Sequence, residues 1–169
     1  MKIFVFSDSH GVLAPMKDVI EKGKPDLVLH LGDNIRDGWW LAEMFPHIPH
    51  RFVRGNCDAF CTRGSLLKSS REEEIFDAGG RRILMTHGHR YGVKSGLGAI
   101  RKAGQKAGAD IVLFGHTHVA HHEMVGDMHL FNPGSPSMAG RYTYGEILIA
   151  DDVVQCAIVE LPRKQKWFG

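Results

Sequence analysis

The chain has 169 residues, of which 43% are hydrophobic and 24% charged, and its formal net charge at pH 7 is +2. This size and composition predict one globular domain, residues 1–169, with a core large enough to fold without disulfides. The small charge does not indicate a nucleic-acid partner, and three cysteines are too few and odd in number for a disulfide scaffold, which favours the cytoplasm.

The first half of the chain alternates between apolar runs and helical segments. The predicted elements are a strand at Ile3–Phe6, a helix at Pro15–Lys22, a strand at Asp26–Leu31, a helix at Gly38–Phe45 and a strand at Arg51–Arg54. The N-terminal apolar run is too short for a signal peptide, and no run approaches the ~18 residues of a membrane span. We therefore expect no membrane partner.

The second half is predicted to be mainly β-structure. The predicted elements are strands at Glu72–Asp77 and Arg81–Thr86, a helix at Val93–Lys106, and strands at Asp110–Phe114, His122–Val125, Met128–Phe131, Glu146–Ala150 and Val153–Leu161. The Gly79-Gly80 pair joins the first two strands as a hairpin. An α/β half followed by a β-rich tail favours a sandwich of mixed sheets with helices outside over a simple doubly wound sheet.

Five short polar motifs stand out, and most of them directly follow a predicted strand. They are Asp8-Ser9-His10, Gly32-Asp33-Asn34, Gly55-Asn56-Cys57-Asp58, Thr86-His87-Gly88-His89 and Gly115-His116-Thr117-His118. In open α/β sheets, ligands gather beyond the carboxyl ends of the strands. We therefore expect these loops to converge on one site.

The residue types in these motifs indicate a metal site. Imidazole combined with carboxylate and amide oxygens suits divalent ions such as manganese, iron, zinc, cobalt or nickel. The candidate ligands are Asp8, His10, Asp33, Asn56, His87, His116 and His118. Seven ligands are too many for one ion and fit two ions roughly 3.5–4 Å apart, an arrangement that catalyses phosphoryl transfer. A hydrolase of carbon esters or amides uses the same ligand types, so that alternative stays open on ligands alone.

Each of these residues also has an ordinary structural interpretation. A single histidine after a strand is more often structural than metal-binding, Asn56 alone is typical of a turn, and Asp33 alone could cap a helix. The combination therefore carries the hypothesis. The histidines outside the motifs are interpreted as structural or surface residues: His30, His47, His50, His121, His122 and His129. Trp39 and Trp40 are expected to pack their short helix against the core, with the rim of the cleft as the alternative for one of them.

In their order along the chain, the five motifs resemble those of the calcineurin-like metallophosphoesterase superfamily. The short length and the Asn132-Pro133-Gly134-Ser135 segment resemble its small prokaryotic phosphodiesterase branch. The resemblance covers nearly the whole chain and implies the metallo-dependent phosphatase fold, an α+β four-layer α-β-β-α sandwich of two mixed β-sheets flanked by helices. It also implies hydrolysis of a small phosphoester, most simply a diester, by in-line attack of a hydroxide that bridges two metals.

The resemblance further implies an assignment of ligands to the two ions. One ion would be bound by Asp8, His10, Asp33 and His118, and the other by Asp33, Asn56, His87 and His116, with Asp33 bridging. Manganese is the preferred ion, with nickel, iron, zinc, cobalt and magnesium as alternatives. A homo-oligomer is left open.

One position departs from the family pattern. In most members, a histidine follows the metal-binding asparagine and is thought to protonate the leaving group, whereas here that residue is Cys57; Asp58, the usual partner of that histidine, is retained. A thiol is a different kind of acid, and His89 is an alternative proton donor or phosphate contact. The predicted catalytic residues are therefore Asn56, Cys57, Asp58 and His89.

The competing hypothesis is a non-catalytic protein-binding module, since a retromer scaffold subunit resembles the same small branch. A site that has lost its activity should have lost ligands. Every expected ligand is present here, and Cys57 is the one change that fits the scaffold hypothesis.

Overall fold

The structure, a computed structural model, describes residues 1–61, 70–137 and 141–161. The strands are β1 (Lys2–Phe6), β2 (Leu27–His30), β3 (His50–Phe52), β4 (Glu73–Ala78), β5 (Arg81–Thr86), β6 (Ile111–Leu113), β7 (His121–Val125), β8 (Met128–Asn132), β9 (Thr143–Ala150) and β10 (Val153–Glu160). The helices are α1 (Ala14–Gly23), α2 (Ile35–Met44), α3 (Asp58–Cys61) and α4 (Gly98–Ala107), with a 3-10 turn at His89–Tyr91. Within these ranges, every helix is too short or too polar to cross a membrane.

The described strands form two five-stranded sheets. The first has the order β10-β9-β1-β2-β3, in which β1, β2 and β3 are parallel and the hairpin β9-β10 is antiparallel to β1. The second has the order β4-β5-β6-β8-β7, with β5, β6 and β8 parallel and an antiparallel strand at each edge. Both sheets are mixed, as the sequence predicts.

Three apolar clusters define the layers of the fold. The first lies between the sheets and joins residues such as Ile3 of β1 and Leu113 of β6. The second packs α1 and α2 on the outer face of the first sheet through Ile20 and Leu41. The third packs α4 on the second sheet through Ile100. This is the expected four-layer α-β-β-α sandwich, and the fold prediction is confirmed.

Strand β1 shows why the central strands are continuous apolar runs. Ile3 and Val5 belong to the cluster between the sheets, whereas Phe4 and Phe6 belong to the cluster under the helices. Successive side chains of a strand point to opposite faces, so a strand that is covered on both faces needs apolar residues at every position.

The topology brings the five motifs to the carboxyl ends of parallel strands. The Asp8 motif follows β1, the Asp33 motif follows β2, the Asn56 motif follows β3, the His87 motif follows β5 and the His116 motif follows β6. Three of these strands lie in one sheet and two in the other. The motif loops therefore meet across the seam between the two sheets.

The helix expected over Val93–Lys106 begins only at Gly98. The residues before it form turns in which Gly92 and Gly96 have φ angles of +60° and +151°. Residues with a side chain rarely adopt such angles, and a helix cannot pass through them. The run of basic residues suggested one continuous helix, so the sequence did not predict this interruption.

The expectation that Trp39 and Trp40 pack against the core is wrong. Their side chains are 41% and 39% exposed. Helix α2 begins at Ile35, three residues before the expected start, and buries Ile35, Gly38 and Leu41. The tryptophans fall on the other side of the helix, since residues one or two positions apart do not share a face.

Candidate metal centre

Asp8 lies at the centre of the converging loops and is fully buried. Its Oδ2 accepts hydrogen bonds from the Ser7 hydroxyl at 2.6 Å and from the His116 N–H at 3.0 Å. Its Oδ1 has no hydrogen-bond partner among the described residues, although His118 Nε2 lies 3.1 Å away. One carboxylate oxygen is thus fixed by the protein, and the other is directed at the space between the motifs.

The two carboxylate oxygens of Asp33 also have different partners. Its Oδ1 accepts the Cys57 N–H at 2.9 Å, and its Oδ2 lies 3.4 Å from His87 Nε2. Burial alone raises the pKa of Asp33, but the contact with His87 and the N–H of Cys57 outweigh burial and hold that pKa well below its usual value. The carboxylate is therefore ionised and available to a cation.

The buried His87 imidazole has a defined tautomer when it is neutral. Its Nδ1 lies 2.9 Å from the Leu31 carbonyl oxygen, which can only accept, so Nδ1 carries the proton. The lone pair of Nε2 then faces Asn56 Oδ1 at 3.2 Å and Asp33 Oδ2 at 3.4 Å. A backbone carbonyl that orients the far nitrogen of a histidine in this manner is typical of metal-binding histidines.

The predicted ligands fall into two groups that share Asp33. Asp8, His10, Asp33 and His118 bring ligand atoms to within 4.8 Å of one another, and Asp33, His87 and His116 do the same. Asn56 joins the second group through its contact with His87. The structure thus brings all seven predicted ligands together, in the two sets that the resemblance implies.

A cation fits the donor atoms that converge here. Unprotonated Nε2 of His87 faces only acceptor oxygens, and Asp8 Oδ1 is buried without a donor. Such groups are costly to bury unless a proton or a metal lies between them. Ions with ligand distances of ~2.0–2.2 Å hold neighbouring ligand atoms roughly 2.8–3.6 Å apart, and the contacts of 3.1, 3.2 and 3.4 Å lie in this range.

In the protein without metal, a proton on His87 supplies positive charge beside Asp8 and Asp33, as a bound cation would. Burial alone lowers the pKa of His87, but the contact with Asp33 and the charge of Asp8 outweigh burial and raise that pKa above its usual value. His116 behaves in the opposite way, because burial and the charges of His87 and Lys94 lower its pKa to about 4. His116 is therefore a neutral imidazole at pH 7, which is the form that binds metals.

The backbone of the ligand loops is unusual. The residues other than glycine with positive φ angles include five of the predicted ligands: Asp8 at +57°, His10 at +45°, Asp33 at +54°, His116 at +67° and His118 at +61°. This left-handed conformation costs side-chain-bearing residues about 1–3 kcal/mol and clusters at functional sites. The motifs did not predict it, although aspartate and histidine adopt this conformation more often than most other residues that carry a side chain.

Neighbouring glycines allow the loops to come this close. A Cβ on Gly55 would lie 2.2 Å from Asp33 Oδ1, and a Cβ on Gly115 would lie 1.9 Å from Ser7 Oγ and 2.8 Å from Asp8 Oδ2. The glycines of the third and fifth motifs are therefore part of the pattern for a steric reason.

Asp58 organises two of the motif loops. Its buried carboxylate accepts four backbone N–H groups, those of Asp33, Asn34, Ile35 and Gly55. The first three precede or begin α2, so this carboxylate takes the place of a capping side chain at that helix. Both oxygens of Asp58 are occupied by the backbone, which places the residue in a positioning role.

A second buried network of hydrogen bonds contributes to the site, and the sequence did not predict it. The Ser9 hydroxyl donates to Asp37 Oδ2 at 2.7 Å and lies 2.9 Å from His30 Nε2, and Asp37 Oδ2 also accepts the Gly11 N–H. His30 Nδ1 accepts the Gly32 N–H. The network ties the Asp8 motif to the Asp33 motif, so His30 is structural as expected but supports the centre.

The Asn132–Ser135 segment supports the remaining loop. Asn132 Nδ2 donates to the carbonyl of Gly115 and to the hydroxyl of Thr117, both at 3.0 Å. The Ser135 hydroxyl donates to the Asp8 carbonyl at 2.8 Å. This turn thus fixes the loop of His116 and His118 relative to Asp8.

Cys57 and His89 lie at the rim of the centre. The Cys57 thiol is half-buried and lies 3.4 Å from Asn56 Nδ2. The His89 ring centroid is 5.4 Å from that of His87 and 6.2 Å from that of His116, and its Nδ1 is buried without a partner among the described residues. Both side chains are thus placed next to predicted ligands without belonging to either ligand group.

The chain matches the model of a known protein family. The calcineurin-like phosphoesterase superfamily domain matches residues 1–152. The chain is similar to the probable metallophosphoesterase YsnB of Bacillus subtilis, with 30% identity over 158 residues that cover 90% of this chain and 86% of YsnB. It is also similar to phosphodiesterase YfcE of Escherichia coli K12, with 30% identity over 158 residues that cover 82% of this chain and 80% of YfcE.

Comparison with solved structures gives the same fold. A conserved protein from Streptococcus pneumoniae TIGR4, described as a predicted phosphoesterase, aligns with a TM-score of 0.76 and 28% identity over 94% of this chain and 88% of that chain. A Vps29 variant from Entamoeba histolytica aligns with a TM-score of 0.71 and 20% identity over 96% of this chain and 100% of that chain. At this identity, the likeness to Vps29 concerns the fold alone.

Proposed function

The chain belongs to the calcineurin-like phosphoesterase superfamily, and from this premise we propose that it is a phosphodiesterase that uses two divalent metal ions for an in-line displacement at phosphorus. Membership and the Asp/His groups support a metal-dependent phosphoesterase. The diester preference and the two-metal mechanism are the further steps of the proposal.

The observation that carries the proposal is the sharing of Asp33 between two ligand groups. Each group contains enough donor atoms for one ion, and the common carboxylate holds the two positions side by side. Two ions bound there supply a nucleophile from water and neutralise the charge on phosphate oxygens. We propose manganese as the native ion, with nickel, iron, zinc, cobalt and magnesium as alternatives.

The protein residues hold this arrangement in place before substrate arrives. Ser7 and the His116 N–H fix one oxygen of Asp8, and the Cys57 N–H fixes one oxygen of Asp33. The Leu31 carbonyl holds the proton of neutral His87 on Nδ1, so Nε2 is the nitrogen that faces the ligand group. Such preorganisation removes the cost of aligning the groups during the reaction.

Protonation of the leaving group is assigned to the rim. Cys57 follows Asn56 directly, at the position where the family pattern has a histidine, and His89 is the alternative donor. Asn56 is proposed to act as a ligand and Asp58 as a positioning residue, since its carboxylate is fully used by backbone N–H groups.

A groove beside His118 supports a diester rather than a monoester. It has a volume of about 390 Å³ and is lined by His118, Val119, Ala120, Arg141, Thr143, Ile158 and Glu160. A monoester has no second substituent to place there, whereas a diester has one. The similarity to YfcE, which is named a phosphodiesterase, points in the same direction.

The alternative, a non-catalytic scaffold, predicts a degraded site. All seven predicted ligands retain metal-binding side chains and converge. Their loops pack so closely that a Cβ on Gly55 or Gly115 would overlap neighbouring atoms. The likeness to Vps29 is equally expected for an active enzyme of this fold. We further propose a cytoplasmic location and a small phosphoester substrate.

The test is hydrolysis of aryl phosphate diesters and monoesters by metal-loaded protein. We expect the diesters to be cleaved with the higher kcat/KM and Asp33→Asn to abolish cleavage of both. Asp127→Asn, a change in the exposed β7-β8 turn, is the matched control and should keep full activity. Binding of two ions without any hydrolysis, across several metals and esters, would favour the scaffold alternative.

A further inference from the structure

A separate group of metal-binding side chains lies at the edge of the sandwich. His122 on β7, His129 on β8 and Cys156 on β10 each bring one nitrogen or sulfur to within 4.8 Å of the others. Strand β7 is the edge of the second sheet and β10 is the edge of the first. The three residues belong to none of the five motifs, and together they connect the edges of the two sheets.

The strand register places the two histidines on one face. In the β7-β8 pair, His122 is opposite Phe131 and Met124 is opposite His129, so all four side chains point the same way. Phe131 belongs to the cluster between the sheets, and Cys156 packs against that cluster from the opposite sheet. The histidines therefore lie on the face of the sheet that is turned toward Cys156 and away from α4, and His122 is exposed at the edge of that face.

The two imidazoles already meet edge to edge. His122 Nε2 and His129 Nδ1 are 3.0 Å apart, and the ring planes differ by only 6° at a centroid separation of 5.3 Å. This geometry is a hydrogen bond in which one nitrogen carries the proton and the other the lone pair. A tetrahedral zinc ion with Zn–N bonds of ~2.0–2.1 Å holds two nitrogens roughly 3.3 Å apart, so the nitrogens are already close to the required separation and the two rings must turn until both lone pairs point at the ion.

The chemistry of the group differs from that of the predicted centre. The Cys156 thiol makes no hydrogen bond or ion pair with any described residue, and burial raises its pKa to about 12. Burial also lowers the pKa of both histidines, so each is a neutral donor. Thiolate with imidazole selects zinc and similar thiophilic ions, whereas manganese and magnesium prefer oxygen ligands.

We propose that His122, His129 and Cys156 form a zinc site that ties together the edge strands of the two sheets. On binding, the thiol loses its proton to solvent and its sulfur bonds to the ion. The histidine that donates in the hydrogen bond moves its proton to its other nitrogen, and both facing nitrogens then coordinate. The fourth position is left to water or to the thioether of Met124, which the register places on the same face.

The first experiment measures zinc bound per chain in the full-length protein by equilibrium dialysis. Cys156→Ser and His129→Ala should each bind one equivalent less than the unchanged protein. His47→Ala, at an exposed histidine outside both sites, is the control and should bind the full number. Equal zinc content in all four proteins would overturn the proposal.

The second experiment uses cobalt as a spectroscopic substitute for zinc. A thiolate ligand gives a charge-transfer band in the near ultraviolet, and this band should vanish in Cys156→Ser and persist in Cys57→Ser and in Asp33→Asn. The Asp33 variant separates this site from the predicted centre, since the band does not depend on that centre. A band that follows Cys57 instead would show that the thiophilic ion sits elsewhere.

A third variant keeps the proposal testable if the Cys156 variant does not fold. His122 lies on an edge strand with an exposed side chain, so His122→Gln should fold normally, as circular dichroism can show. It should weaken zinc binding at this site at least tenfold in a dialysis titration, since one of three ligands is lost. Unchanged zinc affinity in the folded His122→Gln protein would contradict the proposal even if the Cys156 variant cannot be purified.

Discussion

The carboxylate of Asp58 holds the backbone of Asp33, through a hydrogen bond of 3.1 Å from the Asp33 N–H to Asp58 Oδ2. The same oxygen accepts the Gly55 N–H at 2.6 Å. The shared ligand and the loop of Asn56 are thus fixed by one buried side chain, and the geometry of the proposed centre depends on a residue that contributes no ligand atom.

Asp58→Asn is therefore expected to reduce both stability and metal affinity. The new amide group is a donor that faces backbone donors, and each buried N–H left without an acceptor costs about 1–3 kcal/mol. We expect a loss of about 2–4 kcal/mol in the free energy of unfolding, measured by urea denaturation of metal-free protein. Asp77→Asn on the exposed side of β4 is the control, and equal stability of the two variants would refute the positioning role.

Asp33 and His118 are expected to differ in the number of ions that their loss removes. Asp33→Ala should lose both ions, because Asp33 belongs to both ligand groups. His118→Ala should mainly weaken one, and alanine has the same Cβ in the same left-handed backbone. Elemental analysis after dialysis against saturating manganese measures the difference. Full activity of Asp33→Ala would show that the ligand assignment is wrong.

Removal of the metals should leave the fold in place. The three apolar clusters pack strands and helices without any contribution from the ligand side chains. Circular dichroism of chelated protein should therefore retain its signal, with a lower Tm because bound metal stabilises the folded state by linkage. Complete unfolding on chelation would mean that the metals are structural.

Cys57→His should restore activity toward poor leaving groups. General acid catalysis contributes ~10²–10⁴-fold where the leaving oxygen needs a proton, and a thiol supplies less of this than an imidazole. Cleavage of activated aryl diesters should hardly change. The measurement is kcat/KM against leaving-group pKa for both proteins. If the unchanged protein already shows no dependence on leaving-group pKa, another residue such as His89 provides the proton.

The metal-free protein should lose stability as the pH falls from 6.5 to 4, in part through His116. Its pKa is about 4 in the folded state against an ordinary value of 6.5, with burial and the charge of His87 as the main causes. A group whose folded pKa is depressed binds its proton more readily in the unfolded chain, so stability falls across this interval. His116→Gln should make the fall of Tm with pH shallower, while His47→Ala should leave its slope unchanged.

The strands and the convergence of the motifs could be predicted because both follow from short-range patterns. A continuous apolar run such as Ile3–Phe6 predicts a strand buried on both faces, and a motif after each parallel strand predicts one site. The partition of the last four strands could not be predicted, because nothing in their alternation shows that β7 and β8 join one sheet while β9 and β10 join the other.

The supporting network was out of reach for a similar reason. His30 and Asp37 lie 21 and 28 positions after Ser9 along the chain, and they meet it only after β1 and β2 have paired. The exposure of Trp39 and Trp40 depended on where α2 begins, which the distant Asp58 determines. Polar contacts between residues far apart in the chain therefore fix the supporting network and the start of α2, and the local sequence pattern does not predict such contacts.

The left-handed backbone of five predicted ligands has a consequence for how this chain can change over generations. Glycine adopts that backbone without strain, so a random replacement of His10, His116 or His118 by glycine would relieve conformational energy at each position. At these three positions, the residue that suits the backbone best has no side chain with which to bind a metal. Any redesign of the chain for stability alone would therefore remove the imidazoles of the proposed centre.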